Sequence, residues 1–256
     1  MPSVYTHFLI AKQSFATLPP RIQTKIDGHL PLYYFGAQGA DFCFFYQFLN
    51  RKTINLGSYL HRTGGLPTFQ ALQRHAVQSP ALFAYAAGYI THYAADTILH
   101  PYVYATAGKS ILTHSRLESA LDFEYGKHYA KAAREEYDLY FRPKLGKEDK
   151  NALFLLYAEI AQACGFPPLV KPAFFRAIAI FNAYLPLSFT LLTHQRAKLL
   201  KAAFGDDYPQ KTKQLLQAVC LRSKLLIGEF LHTLETAAPL QTSLFDKSFL
   251  TGKSVK

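Results

Sequence analysis

The chain has 256 residues, of which half are hydrophobic, so it is long enough to bury a sizeable core in one large domain or two small ones. Lysine and arginine number 28 against 17 acidic residues, and the net charge of +11 favours anionic partners or serves only to keep the surface soluble. The three cysteines are an odd number without metal-like spacing, which argues against a disulfide framework and favours a reducing compartment.

No targeting or membrane-spanning segment is recognisable in the sequence. In the first 13 residues no basic region precedes the apolar run, and that run is too short for the core of a signal peptide. The most apolar window, residues 173–192, contains polar residues and a proline, and it falls short of the roughly 20 apolar residues that a spanning helix needs. We therefore expect a cytoplasmic protein.

The amino-terminal region carries the first two candidate site residues. Residues 1–25 are predicted to be partly helical, with a break at Pro19-Pro20, and they contain His7. Residues 28–46 are predicted to form a loop rich in aromatic residues, in which two glycines permit backbone conformations that would aim Asp41 inward. An ordinary turn with Asp41 as its capping residue is the alternative.

A long helix is predicted to begin at Ser79-Pro80, where a capping residue is followed by a first-turn proline. Pro101 disfavours helical backbone at His100 and so predicts the end of this helix. His61 precedes the helix as a further isolated imidazole.

Three polar residues of this helix share one face. His92, Asp96 and His100 lie at successive four-residue steps, so their side chains form a stripe on an otherwise apolar helix. Imidazole and carboxylate groups are suitable ligands for zinc or a similar metal. Because a helix rises about 12 Å over eight residues, one ion cannot reach both histidines. The spacing therefore predicts at least two metals, with Asp96 between them.

A second four-residue step from a histidine to an acid follows at His114 and Glu118. On one helix these side chains would share a face and add a further pair of ligands. The alternative is a capping box formed by Ser115 and Glu118, which would make Glu118 a structural residue at a helix start and leave His114 outside the helix.

The remainder of the chain has helical periodicity, and no stretch alternates with the period of a strand. All-α is therefore the predicted class, with a single multi-helix domain over residues 1–236 and a flexible basic tail over residues 237–256. The predicted helices beyond Glu118 cover residues 119–137, 149–163, 173–185, 191–204 and 212–234.

In this order the residues resemble the zinc-dependent phospholipase C family, which shares its helical fold and a trinuclear zinc site with the S1/P1 nucleases. The resemblance covers the first half of the chain and places the metal site within residues 7–118. It rests on Gly36-Ala-Gln-Gly-Ala-Asp41, His92-x3-Asp96, His100-Pro101 and His114-x3-Glu118.

The resemblance implies two or three zinc ions and a role for each candidate residue. His61, His92 and Asp96 would hold one zinc, and His100, His114 and Glu118 a second. A third would take His7 and share Asp96, while Asp41 would orient or deprotonate the attacking water. In the secreted members the processed amino terminus ligates the third zinc, whereas several residues precede His7 here. Asp96 and His100 are also closer together than the matching pair of those enzymes.

The function that follows is hydrolysis of a phospholipid head group or a similar phosphodiester by zinc-activated water. The aromatic residues at 42–46 would line an apolar slot for the lipid, or else pack in the core. Two alternatives stay open: a single-strand nuclease on the same site, and a non-catalytic, metal-stabilised helical protein of anionic membrane surfaces. Nucleic acid is the less favoured partner, and the sequence leaves the oligomeric state open.

Overall fold

The computed structural model describes residues 4–47, 54–63, 65–126, 145–188 and 196–255. These residues form α-helices and one short 3-10 helix, with no β-strand among them, which confirms the all-α prediction. The helices are α1 (Val4–Thr17), α2 (Pro20–Asp27), α3 (Leu30–Gly36), the 3-10 helix (Asp41–Phe45), α4 (Leu56–Arg62), α5 (Leu66–Gln78), α6 (Pro80–Ala107), α7 (Ile111–Gly126), α8 (Lys147–Ala163), α9 (Lys171–Ser188), α10 (Arg196–Phe204), α11 (Tyr208–Thr236) and α12 (Thr242–Phe245).

Helix α6 lies at the centre of the molecule. Every residue from 82 to 97 is buried, as expected for a helix that is apolar on nearly all faces. It contacts α1, α2, α3, α5, α7, α8, α10 and α11. Polar side chains on such a helix must find their partners inside the protein, because water cannot reach them.

The start of α6 agrees with the prediction, whereas its end does not. The Ser79 hydroxyl accepts a hydrogen bond from the Leu82 amide at 3.3 Å, and Pro80 is the first helical residue. The helix then continues through Pro101 to Ala107, so the predicted end at His100 is wrong. A proline inside a helix costs about 3 kcal/mol, and the packing of neighbouring helices around α6 outweighs that cost.

The predicted loop over residues 28–46 is also wrong, because α3 and the 3-10 helix occupy most of it. Helix α3 crosses α6 at a very short distance. A Cβ atom on Gly36 would lie 2.1 Å from the Tyr85 carbonyl oxygen, and one on Gly88 would lie 1.9 Å from the Tyr33 carbonyl oxygen. Gly36 and Gly88 therefore allow α3 and α6 to cross closely.

Helix α7 begins at Ile111, which removes the capping-box alternative for Ser115 and Glu118. Ser115 lies inside the helix, one turn beyond its start. His114 and Glu118 are therefore one turn apart on the same helix, and the His114 Nε2 atom lies 2.9 Å from Glu118 Oε1.

The helices of the second half follow the predicted periodicity, with ends that differ by two to four residues at most positions. The predicted helical residues 127–137 and 191–195 lie outside the described residues. Within the part of the chain that the structure describes, no helix combines the length and the apolar character needed to cross a membrane.

The segment after α11 is packed, which contradicts the expectation of a flexible tail from residue 237. Leu240, Phe245 and Phe249 are buried and belong to the same hydrophobic cluster as α6. The Phe245 ring lies 4.7 Å from that of Phe69. The basic residues had suggested a loose segment, whereas its three large apolar side chains are what fix it to the core. The extent of a single domain over residues 1–236 stays a prediction.

Candidate metal centre

Five elements bring the eight predicted site residues to one region of the core. All are buried except His114, which is half-buried. They are His7 on α1, Asp41 on the 3-10 helix, His61 on α4, His92, Asp96 and His100 on α6, and His114 and Glu118 on α7.

Asp96 lies at the middle of this cluster. Its Oδ2 atom lies 3.3 Å from His92 Nε2 and 3.5 Å from His100 Nδ1, the two neighbours of the α6 stripe. The same oxygen lies 3.7 Å from His61 Nε2, and Oδ1 lies 3.4 Å from His7 Nε2. One carboxylate thus faces four imidazoles from three helices.

Three groups of side chains offer donor atoms that lie within 4.8 Å of one another and could each hold a metal ion. Two of them have the composition that the resemblance implies. The groups are His61, His92 and Asp96; His100, His114 and Glu118; and His7, Asp41 and His92.

Asp41 joins the third group, where the resemblance implies that His7 shares Asp96. Asp41 Oδ2 lies 4.0 Å from His92 Nδ1, and Oδ1 lies 3.2 Å from His61 Nε2. This carboxylate is as close to the imidazoles as Asp96 is, so it can serve as a ligand. Its role in orienting water stays a prediction.

Two backbone carbonyls fix the orientation of ligand rings. His61 Nδ1 lies 2.7 Å from the Gly57 carbonyl oxygen, and His100 Nδ1 lies 2.9 Å from the Phe249 carbonyl oxygen. A carbonyl can only accept, so Nδ1 of both rings carries a proton, which leaves Nε2 as the ring atom available to a metal. In both residues Nε2 faces a carboxylate of the cluster. Histidine ligands of metals are commonly held in this way.

Burial keeps two of the imidazoles neutral. Desolvation lowers the pKa of His7 to about 4, although the nearby Asp41 carboxylate partly opposes the shift. Desolvation likewise lowers the pKa of His92 well below its usual value, and the neighbouring His7 and His61 lower it further. A neutral imidazole has the free lone pair that metal coordination requires.

Burial disfavours the ionised form of the central carboxylate, Asp96. Burial raises the pKa of Asp96 well above its usual value, and the negative charges of Asp41 and Glu118 raise it further. A buried ionised carboxylate is costly unless a cation or several hydrogen-bond donors compensate it.

Several buried polar atoms of the cluster make no hydrogen bond within the described residues, although carboxylates and imidazoles lie close together. His61 Nε2 is one, because its 3.2 Å approach to Asp41 lacks the direction of a hydrogen bond. The others include His7 Nδ1, His92 Nε2, Asp41 Oδ2 and Asp96 Oδ2. Buried polar groups without partners are rare in native proteins, and here they converge at one place. This donor set fits divalent cations such as zinc.

Gly39 allows the His92 ring to lie close to the backbone. Its φ of +55° falls in the left-handed region, and a Cβ atom there would lie 2.1 Å from His92 Cδ2. Any larger residue would push the ring out of the cluster. This glycine is thus needed both for its conformation and for its size.

The cluster opens into a cavity of about 780 Å³. Small molecules can reach the metal groups from this side, as a catalytic site requires. Of the aromatic residues at 42–46, Phe44 lines the cavity, whereas Phe42 packs in the core against Tyr157 and Phe174. The cavity-lining residues are Asp41, Phe44, Asn55, Ser58, His61, Arg62, Asp96, His100, Tyr104, Gly108, Lys109, Ser110, Ile111, His114, Glu118 and Leu250.

Sequence reasoning missed Tyr104, which follows His100 by one further four-residue step. Its ring lies 5.5 Å from that of His100 and 4.7 Å from that of His114. Burial and the nearby Glu118 raise the pKa of Tyr104 to about 12, so its hydroxyl stays protonated. The spacing was visible in the sequence, but the helix had been predicted to end at Pro101.

The comparisons with known proteins bear on this site. A family model described as zinc dependent phospholipase C matches residues 6–162, which is more than half of the chain and includes all eight site residues. A search of curated proteins and a search of solved structures each found no match. The family match confirms the resemblance predicted from the motifs, and the all-helical fold agrees with it. The chain therefore belongs to the zinc-dependent phospholipase C family.

Proposed function

We propose that this protein is a zinc-dependent phosphoesterase that hydrolyses a phospholipid head group or a similar phosphodiester. The observation that carries the proposal is the convergence of three imidazole–carboxylate groups, each of which has its carboxylate at the wall of one open cavity. Sites that only stabilise a fold are usually closed by four protein ligands, whereas each group here offers three.

The side chains of the cluster would hold the ions close together. Asp96 lies between the stripe histidines His92 and His100 and would be a ligand in the group that it forms with His61 and His92. His100, His114 and Glu118 form the one group among the described residues whose three members all line the cavity. Zinc, when bound, polarises a phosphoryl group, acidifies the attacking water and neutralises charge on the leaving oxygen.

The protein itself supplies groups for the substrate. Tyr104 lines the cavity and its hydroxyl is protonated at neutral pH, so this residue is a candidate to donate a hydrogen bond to a phosphate oxygen. Asp41 also lines the cavity and is a candidate to accept a proton from water when it is not itself a ligand. Phe44 gives the wall an apolar side.

Asp96→Asn tests the proposal with little change in side-chain volume. We expect loss of zinc, measured by elemental analysis, and loss of hydrolysis of a short-chain monomeric phospholipid. Glu159→Gln is the matched control, because this carboxylate pairs with Arg74 and His75 on the surface and belongs to none of the three groups. It should retain both metal and activity.

Two results would contradict the proposal. Zinc content unchanged by Asp96→Asn would mean that the central carboxylate holds no ion. A zinc-loaded wild-type protein that cleaves single-stranded DNA but no phospholipid, with cleavage abolished by chelator, would assign the site to a nuclease.

A further inference from the structure

Two large apolar residues are exposed beside the mouth of the cavity. Ile111 and Leu112, the first residues of α7, are 79% and 61% exposed. Ile111 also lines the cavity. Exposed apolar side chains grouped at a binding cleft commonly mark a surface that contacts a partner.

Two cations lie at the same mouth. Arg62 and Lys109 are exposed and line the cavity. Within the described residues neither forms an ion pair at 4 Å or less. The carboxylates of the cavity wall all belong to the metal groups, where bound cations would offset their charge and leave the positive charge of the mouth unopposed. This edge therefore attracts anions.

The backbone at the mouth is well defined. Gly108 ends α6 in the left-handed region, with a φ of +55°. The Ser110 hydroxyl then accepts a hydrogen bond from the Thr113 amide at 3.2 Å, which caps the start of α7. This short turn places Lys109 two residues before Ile111, so cationic and apolar groups are presented together.

We propose that this rim (Arg62, Lys109, Ile111 and Leu112) docks on an anionic phospholipid surface, with the two apolar side chains entering the head-group region. The proposal rests on the proposed function in so far as the lipid is also the substrate. Amphipathic surfaces of this kind bind membranes through apolar burial together with attraction to anionic lipids. Docking by the rim would turn the cavity mouth towards the head groups.

Helix α11 offers a competing surface of similar chemistry. Leu221 and Leu225 are 71% and 58% exposed and flank the exposed Lys224 on consecutive turns. None of these residues lines the cavity. A membrane bound through α11 would not contact the cavity that leads to the metal groups. This surface therefore provides the matched control.

The test is co-sedimentation of the metal-loaded protein with vesicles on ice. The vesicles contain phosphatidylcholine alone or phosphatidylcholine mixed with phosphatidylglycerol. We expect the wild-type protein to bind the mixed, anionic vesicles at least tenfold more tightly than vesicles of phosphatidylcholine alone. Ile111→Asp with Leu112→Asp should weaken that binding at least tenfold, whereas Leu221→Asp with Leu225→Asp should leave it unchanged. Circular dichroism and zinc content establish that each variant is folded.

A separate variant tests the contribution of the two cations to vesicle binding. Arg62→Glu with Lys109→Glu should reduce binding to the anionic vesicles to the level seen with phosphatidylcholine alone. Loss of vesicle binding in the α11 variant with retention in the rim variants would overturn the proposal. So would binding of single-stranded DNA by the rim in place of vesicles, because the partner would then be a nucleic acid.

These outcomes are distinguishable from failure of the proposed function. Vesicle binding is measured without turnover, so docking is observable even when no phosphoester is cleaved. Conversely, hydrolysis of a monomeric short-chain phospholipid without vesicle binding would refute docking and leave the phosphoesterase standing.

Discussion

Asp96 occupies a position that a hydrophobic core rarely gives to a carboxylate. It is buried on the central helix, and the imidazoles around it do not direct hydrogen bonds to its Oδ2 atom. A group in such surroundings is retained when a cation compensates it, because an uncompensated buried charge costs several kcal/mol. The four-residue spacing to His92 and His100 predicted that these three side chains share one face of the helix.

His114→Ala tests how many ions the cluster holds. The side chain is 13% exposed, lines the cavity and belongs to only one of the three groups, so the variant should lose one bound zinc and keep the others. The measurement is the molar ratio of zinc to protein by elemental analysis. His75→Ala is the control, since His75 pairs with Glu159 outside the cluster. Loss of all zinc from His114→Ala would contradict separate sites.

The hydrogen-bond acceptors that orient the ligand rings could not be predicted from the sequence. The carbonyls of Gly57 and Phe249 orient His61 and His100, and every residue type carries a carbonyl. Residue identity therefore gives no signal for such contacts, and Phe249 follows His100 by 149 positions. The eight predicted site residues, by contrast, have side chains whose chemistry and spacing are visible in the sequence.

At the scale of elements, the crossing of α3 and α6 positions the cluster. Gly36 and Gly88 let the two helices approach until their backbones are nearly in contact. The 3-10 helix that carries Asp41 follows α3 directly, so this crossing determines where Asp41 lies relative to the α6 stripe.

Gly88→Ala should therefore destabilise the protein. The added Cβ would lie 1.9 Å from the Tyr33 carbonyl oxygen, which is backbone and cannot move aside easily. We expect a loss of about 1–3 kcal/mol in the free energy of unfolding, measured by denaturant titration. Gly228→Ala in α11 is the matched control, because nothing lies within 4 Å of its added Cβ. It should stabilise the protein by about 0.5–1 kcal/mol, and equal effects of the two changes would contradict the crossing argument.

Local rules predicted the start of α6 but not its end. Ser79-Pro80 begins α6 as expected, since capping is a property of a few adjacent residues. The end at Pro101 was wrong because the helix continues under the packing of distant segments. The same holds for α3, whose aromatic residues pack against α6 and not in a loop.

At the scale of the whole molecule, the cluster should couple stability to pH once metal is removed. In the folded chelated protein His7 and His92 stay neutral, whereas in the unfolded chain they take up protons below about pH 6.5. Asp96 acts in the opposite sense, because its raised pKa keeps a proton in the folded state that the unfolded chain releases. Each of the two imidazoles is only half protonated at pH 6.5 in the unfolded chain, so the net proton uptake on unfolding grows as the pH falls and reaches about one proton near pH 5.

We expect the chelated protein to lose stability as the pH falls below 6.5, with a slope that approaches about 1.4 kcal/mol per pH unit near pH 5, measured by denaturant titration at several pH values. The zinc-loaded protein is the comparison, since coordinated imidazoles must first release their metal before they take up protons. It should also be more stable throughout, because zinc binds the folded state. A chelated protein whose stability is independent of pH would contradict the neutral state of His7 and His92.

The contact between His100 and the Phe249 carbonyl can form only some time after His100 has been synthesised. Ribosomes add about 5–20 residues per second, so the 149 residues that separate the two take roughly 7 to 30 s to polymerise. Throughout that interval the His100 imidazole of the nascent polypeptide lacks the acceptor that selects its tautomer. A metal ion captured early would meet a ring that is still free to rotate, and maturation of the holoprotein would await translation of the last packed segment.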